Sequence, residues 1–66
     1  MMAMLEYVKT ILKKVSFDSK LFEKELVKAI KELLQPELQE LKKWCYDQFG
    51  DIYYAILNKH FSNIPV

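Results

Sequence analysis

Apolar residues recur every three or four positions along most of this chain, and three short breaks divide the pattern. From 4 to 15, Met4, Leu5, Val8, Ile11, Leu12 and Val15 fall at helical spacing, with Glu6, Lys9, Thr10, Lys13 and Lys14 opposite them. Ser16-Phe17-Asp18-Ser19 ends the first segment. Asp18 is placed to cap the next helix, because its carboxylate can accept the unpaired N–H groups of a first turn. Phe17 and Phe22 then stand at the two positions of a hydrophobic staple.

The second helix is predicted over 19–34. Phe22, Leu26, Ala29, Ile30 and Leu33 share one face, Lys20, Lys24, Lys28 and Lys31 share the opposite one, and Val27 and Leu34 widen the apolar arc. Gln35-Pro36 is the second break, since proline suits a first helical position and disfavours helical geometry in the residue before it. The third helix is predicted over 36–49, with Glu37 and Glu40 near its positive end. Leu38, Leu41, Cys45 and Phe49 form its apolar stripe, with Trp44 off one flank and Tyr46 off the other.

Gly50-Asp51 is the third break. Gly50 is the single glycine and suits a helix C-terminus that needs positive φ, and Asp51 can cap the next helix. A fourth helix is predicted over 52–61, with Tyr53, Ile56, Leu57 and His60 central on its apolar side and Tyr54 and Phe61 at one edge. Pro65 stops any continuation. The fold class expected is all-α: a small three- or four-helix bundle with helices near 4–15, 19–34, 36–49 and 52–61, forming one domain over 1–66. The short breaks favour antiparallel neighbours.

Composition sharpens this picture. A chain of 66 residues buries only about 60% of its unfolded surface and needs help to be stable. With one cysteine, an internal disulfide is impossible, and one Cys with one His is a poor zinc set. Very good packing or self-association remains. The apolar fraction of 52% argues against disorder, and one glycine with two prolines is too few turn residues for a β-protein.

Charge excludes little but favours less. Ten lysines balance nine acids, and arginine, the preferred residue for bidentate phosphate and base recognition, is absent. The Lys20, Lys24, Lys28, Lys31 row could follow a phosphate backbone, yet it is also the ordinary solvated face of an amphipathic helix, with Glu32 placed to pair with Lys28. Neither a helix-turn-helix junction nor interleaved aromatics accompanies it. The first helix is amphipathic enough to lie on a membrane but lacks the aromatics of an interfacial anchor. No stretch reaches a membrane span, and Glu6 and Lys9 interrupt the apolar start before it becomes a secretory signal. Met4 is an alternative start to Met1, leaving Met1–Ala3 of little weight. A free thiol in an untargeted chain fits a cytoplasmic location.

Candidate chemistry is sparse. Cys45 and His60 could in principle form an activated thiol pair, but Cys45 stands within an apolar stripe, where cysteine acts as a small inert hydrophobe. Asp47 and Asp51 are four apart, but Gly50 between them is expected to end the helix, and a divalent cation needs several convergent oxygens. No catalytic, cofactor-binding or metal-binding residue is assigned.

The aromatics are the distinctive feature. Trp44, Tyr46, Phe49, Tyr53, Tyr54 and Phe61 all fall in the last third of the chain. Aromatics of this kind anchor interfaces, and the flank positions Trp44, Tyr54 and Phe61 are the expected partner-binding residues. The function expected is a non-enzymatic protein-interaction module, self-associating (as a homodimer) through this aromatic edge. The alternative is a nucleic-acid-binding or regulatory helical domain using the lysine face.

Overall fold

In the computed structural model, residues 3–62 and residue 64 are described. Met1, Met2 and Pro65, on which expectations were placed, lie outside them. The architecture is all-α, as the periodicity predicts. Three helices, α1 (Met4–Lys14), α2 (Ser19–Glu32) and α3 (Gln35–Phe61), account for nearly all of the described residues, and no strand occurs among these. The chain divides into two units, residues 1–33 and 34–66.

Unit 1 is α1, a turn and α2. Leu5, Val8 and Leu12 are buried on α1, and Phe22, Leu26 and Ala29 on α2, with Leu33 buried just after it. These rows alternate steps of three and four, the spacing that keeps side chains on one face of a 3.6-residue helix. The turn satisfies its own polar groups. The Ser16 hydroxyl donates to the Lys13 carbonyl at 2.8 Å, and the Asp18 N–H donates to the Val15 carbonyl at 3.1 Å. Asp18 caps α2 as expected, its Oδ1 accepting from the N–H groups of Lys20 at 2.9 Å and Leu21 at 3.2 Å.

The staple expected beside that cap does not form. Phe22 is fully buried, but Phe17 is 80% exposed. The Asp18 carboxylate, with the Asp18 carbonyl accepting from the Phe22 N–H at 2.9 Å, holds this helix start. The predicted Lys28–Glu32 pair is also replaced, since the Lys28 ammonium lies 3.8 Å from Glu25 on the preceding turn. At that spacing and exposure the pair contributes little.

Unit 2 is the single helix α3, bent at Tyr53. It begins one residue before Pro36, because Pro36 occupies the second helical position, where its missing N–H is not needed. The bias of a pre-proline residue against helix is therefore overridden at Gln35. The Glu37 carboxylate reaches back to accept from the Leu34 N–H at 3.1 Å, which pins the entry to the helix.

The predicted break at Gly50-Asp51 is the main correction. Gly50 does not adopt positive φ and Asp51 is not a cap, for both are helical. The departure from helical geometry comes later, at Tyr53, with φ −119° and ψ 30°. Its cause is readable in the buried row Leu38, Leu41, Cys45, Phe49, Tyr53, Leu57 and Phe61. After Leu41 every step is four residues, and each such step overshoots one helical turn by about 40°. A straight helix would place Phe61 about 200° around from Leu41, on the far side. The bend falls in Gly50-Asp51-Ile52-Tyr53-Tyr54, a run of comparatively weak helix formers.

Two stability changes are expected. A Cβ added at Gly50 would meet nothing within 4 Å. Gly50→Ala is therefore expected to stabilise the fold by about 0.5–1 kcal/mol, read from the urea midpoint. A loss of stability would instead reveal the left-handed backbone of a helix terminus at that position. Asp18→Ala is expected to lower stability by about 1 kcal/mol in the same measurement, with Asp18→Asn largely restoring it.

Candidate functional site

Ring contacts in unit 2 run both across the bend and along the first arm. Tyr46 projects from the first arm towards the second. Its hydroxyl donates to Asn58 Oδ1 at 2.5 Å, and its ring lies 6.1 Å from Tyr54 and 6.3 Å from Phe61, centroid to centroid. In a straight helix residues 46 and 61 would be about 22 Å apart along the axis, so these contacts depend on the bend. On the other side, Trp44 meets Phe49 edge-on at 5.5 Å, and Phe49 lies 6.3 Å from Tyr53.

The three expected partner-binding residues are placed differently from one another. Tyr54 is 60% exposed and Trp44 is half-buried, so both present apolar surface. Phe61 is 1% exposed. Its removal from the edge is a consequence of the bend, which turns the buried face of the second arm to Tyr53, Leu57 and Phe61 and leaves Ile56 and His60 only half-buried. The residue that sequence reasoning missed is Ile52, 70% exposed beside the bend. Its isolation from the buried row by one position was the available signal. In unit 1, of the weaker candidate edge, Val27 is half-buried; in unit 2, Leu34 is exposed.

Cys45 is fully buried, which denies its thiol to a substrate. Among the described residues no group of three or more His, Cys, Asp or Glu could hold a metal ion. Lys20, Lys24, Lys28 and Lys31 lie along α2, and all four are exposed. Unit 1 also has a groove of about 250 Å³ between α1 and α2, floored by Val8, Ile11, Leu12 and Ala29 and rimmed by charged residues of α2. That is below the roughly 300–1,000 Å³ usual for small-molecule pockets. Among the described residues, no helix is long and apolar enough to cross a membrane.

A scan against protein-family models finds no match to this chain, and searches of curated proteins and of solved structures likewise find none.

Tyr46 provides a pH test of this arrangement. Burial raises its phenol above the usual value of about 10, and Tyr54 and then Cys45 push it the same way. The folded chain thus keeps a proton that the unfolded chain releases first. The stabilisation is complete below about pH 10 and is lost as pH rises through the higher folded value. Stability measured by urea titration is expected to fall above about pH 10, and Tyr46→Phe is expected to flatten that fall while lowering stability at neutral pH by about 1 kcal/mol.

Proposed function

We propose that this chain is a non-enzymatic interaction module that associates with a second copy of itself through the apolar surface at the bend of α3. The observation carrying this reading is the exposure of Ile52 and Tyr54 side by side with the buried Tyr53. Apolar side chains that stay in water next to a packed aromatic cluster gain most from a partner, and Trp44 and Tyr54 are residue types that anchor interfaces. A reducing cytoplasm fits the free thiol.

A second reading, binding of nucleic acid by α2, draws on the four lysines that share one row of that helix. Near-neutral net charge and the lack of arginine weigh against it.

Sedimentation equilibrium over a range of concentrations tests the first reading, with a dimer expected. Ile52→Asp and Tyr54→Ala are each expected to weaken the dimer by roughly tenfold or more with helical circular dichroism unchanged. A monomer at all concentrations would overturn self-association. Trp44→Ala separates anchor from core: weakened association at unchanged thermal midpoint marks an anchor, and a lowered midpoint alone marks core. The lysine reading requires binding to duplex DNA or RNA that weakens steeply with salt and falls in Lys24→Glu/Lys28→Glu; salt-independent or absent binding ends it.

A further inference from the structure

We propose that the turn end of unit 1 docks on an anionic lipid surface, with Phe17 entering the headgroup layer and Lys13, Lys14, Lys20 and Lys24 meeting its negative charge. No residue of α3 takes part, so this docking stands or falls independently of self-association.

The first observation is Phe17. It lies in the turn between α1 and α2 and is 80% exposed, more than any other large apolar side chain among the described residues. The staple with Phe22 that would have covered it is not formed. Leu21, in the first turn of α2, is exposed as well. A lone apolar side chain in water is ordinary. What surrounds this one gives it a direction.

The second observation is charge. Residues 13–24 carry four lysines and two acids, and the rest of the chain six lysines and seven acids, so the net positive charge of the chain resides at this end. Lys13 and Lys14 lie in the last turn of α1, and Lys20 in the first turn of α2. Lys24 is about 8 Å along the axis from Ser19, one Debye length at physiological salt. All four lysines are exposed, and among the described residues none of their ammonium groups makes an ion pair. Of the two acids, Asp18 has its carboxylate turned to the backbone N–H groups of Lys20 and Leu21.

The third observation is the turn's own hydrogen bonding. The Ser16 hydroxyl donates to Lys13, the Asp18 N–H donates to Val15, and the Asp18 carboxylate is held by α2. Polar groups already bonded within the chain lose little when water is withdrawn from them. The turn therefore meets a headgroup layer as it stands, without unfolding.

A bilayer matches both parts of this surface. It offers negative charge at its face and an apolar phase just beneath. Lysine stems lie along apolar surface while their ammonium groups stay among the headgroups. Lysines alone would suit a nucleic acid equally, but a duplex has no apolar layer to receive Phe17. The aromatic that α1 lacks as an interfacial helix is supplied by the turn that follows it. One shallow apolar insertion joined to a basic patch gives reversible attachment.

Flotation of the full chain with phosphatidylcholine vesicles, with and without phosphatidylserine, tests the docking. The chain is expected to float only with the phosphatidylserine vesicles, and less as salt rises. A lysine close to such a surface contributes about fivefold in affinity, so Lys13→Gln/Lys20→Gln is expected to weaken binding roughly 25-fold. Lys31→Gln removes a charge about 18 Å along α2 from Ser19 and is expected to change binding by less than about twofold. Phe17→Ser is expected to weaken binding roughly tenfold. Phe17→Trp is expected to strengthen it, since tryptophan favours the membrane interface; misfolding could not produce both shifts. Absence of flotation with phosphatidylserine vesicles would overturn the docking. So would an equal loss per lysine at either end of α2, which marks diffuse attraction, or Phe17→Ser binding like the wild type, which marks adhesion without insertion. Retention of duplex DNA indifferent to Phe17→Ser, without flotation, would assign the lysines to nucleic acid and overturn it as well.

Discussion

Unit 2 depends on a mismatch between sequence spacing and helix geometry. Its buried row advances by four residues at every step from Leu41 to Phe61, and an α-helix turns in about 3.6. A straight helix would wind this row halfway around its own axis, so no single surface could cover it. Bending at Tyr53 removes the conflict. The contacts across the arms depend on that bend: the Tyr46 hydroxyl on Asn58, the ring of Tyr46 near Phe61, and the burial of Phe61 itself. So does the exposure left behind, since Ile52 and Tyr54 stand on either side of the one residue turned inward.

Unit 1 shows what happens without that mismatch. Its buried positions alternate steps of three and four, along Leu5, Val8 and Leu12 and along Phe22, Leu26, Ala29 and Leu33. The average matches the helix, and α1 and α2 carry no interruption. Local hydrogen bonds then suffice at the turn, where the Asp18 carboxylate and the Ser16 hydroxyl serve neighbouring backbone groups. The bonds from Thr10 to Glu6, from Ser16 to Lys13 and from Leu21 to Asp18 join residues three or four apart, whereas Tyr46–Asn58 in unit 2 spans twelve. Polar contacts of the first kind need only a helix or a turn. The second kind needs the bend, which brings distant residues together.

This bears on function through what each surface can do. Among the described residues no polar or charged residue is buried. The side chains that stand out are apolar ones in water, among them Ile52 and Tyr54 on either side of Tyr53; the association proposed for them would select a partner by shape rather than by charge.

The sequence by itself determined the helical class, the two faces of α1 and α2, the Asp18 cap and the Leu38-Leu41-Cys45-Phe49 stripe, because these are set by periodicity and by groups within a few residues. It also marked the last third of the chain as the aromatic region. It did not reveal where α3 bends. Gly50 and Asp51 resembled a helix end because their propensities are local signals, and the backbone there has nothing against either a stop or a continuation. Which side chains of the second arm turn inward was likewise undecided: Phe61 and Tyr54 looked equivalent at an edge, and the structure buries one and exposes the other. Only tertiary packing could separate them, since the phase of the second arm relative to the first is fixed by the contacts Tyr46 makes across the bend, and a single helical period carries no information about its neighbour's phase.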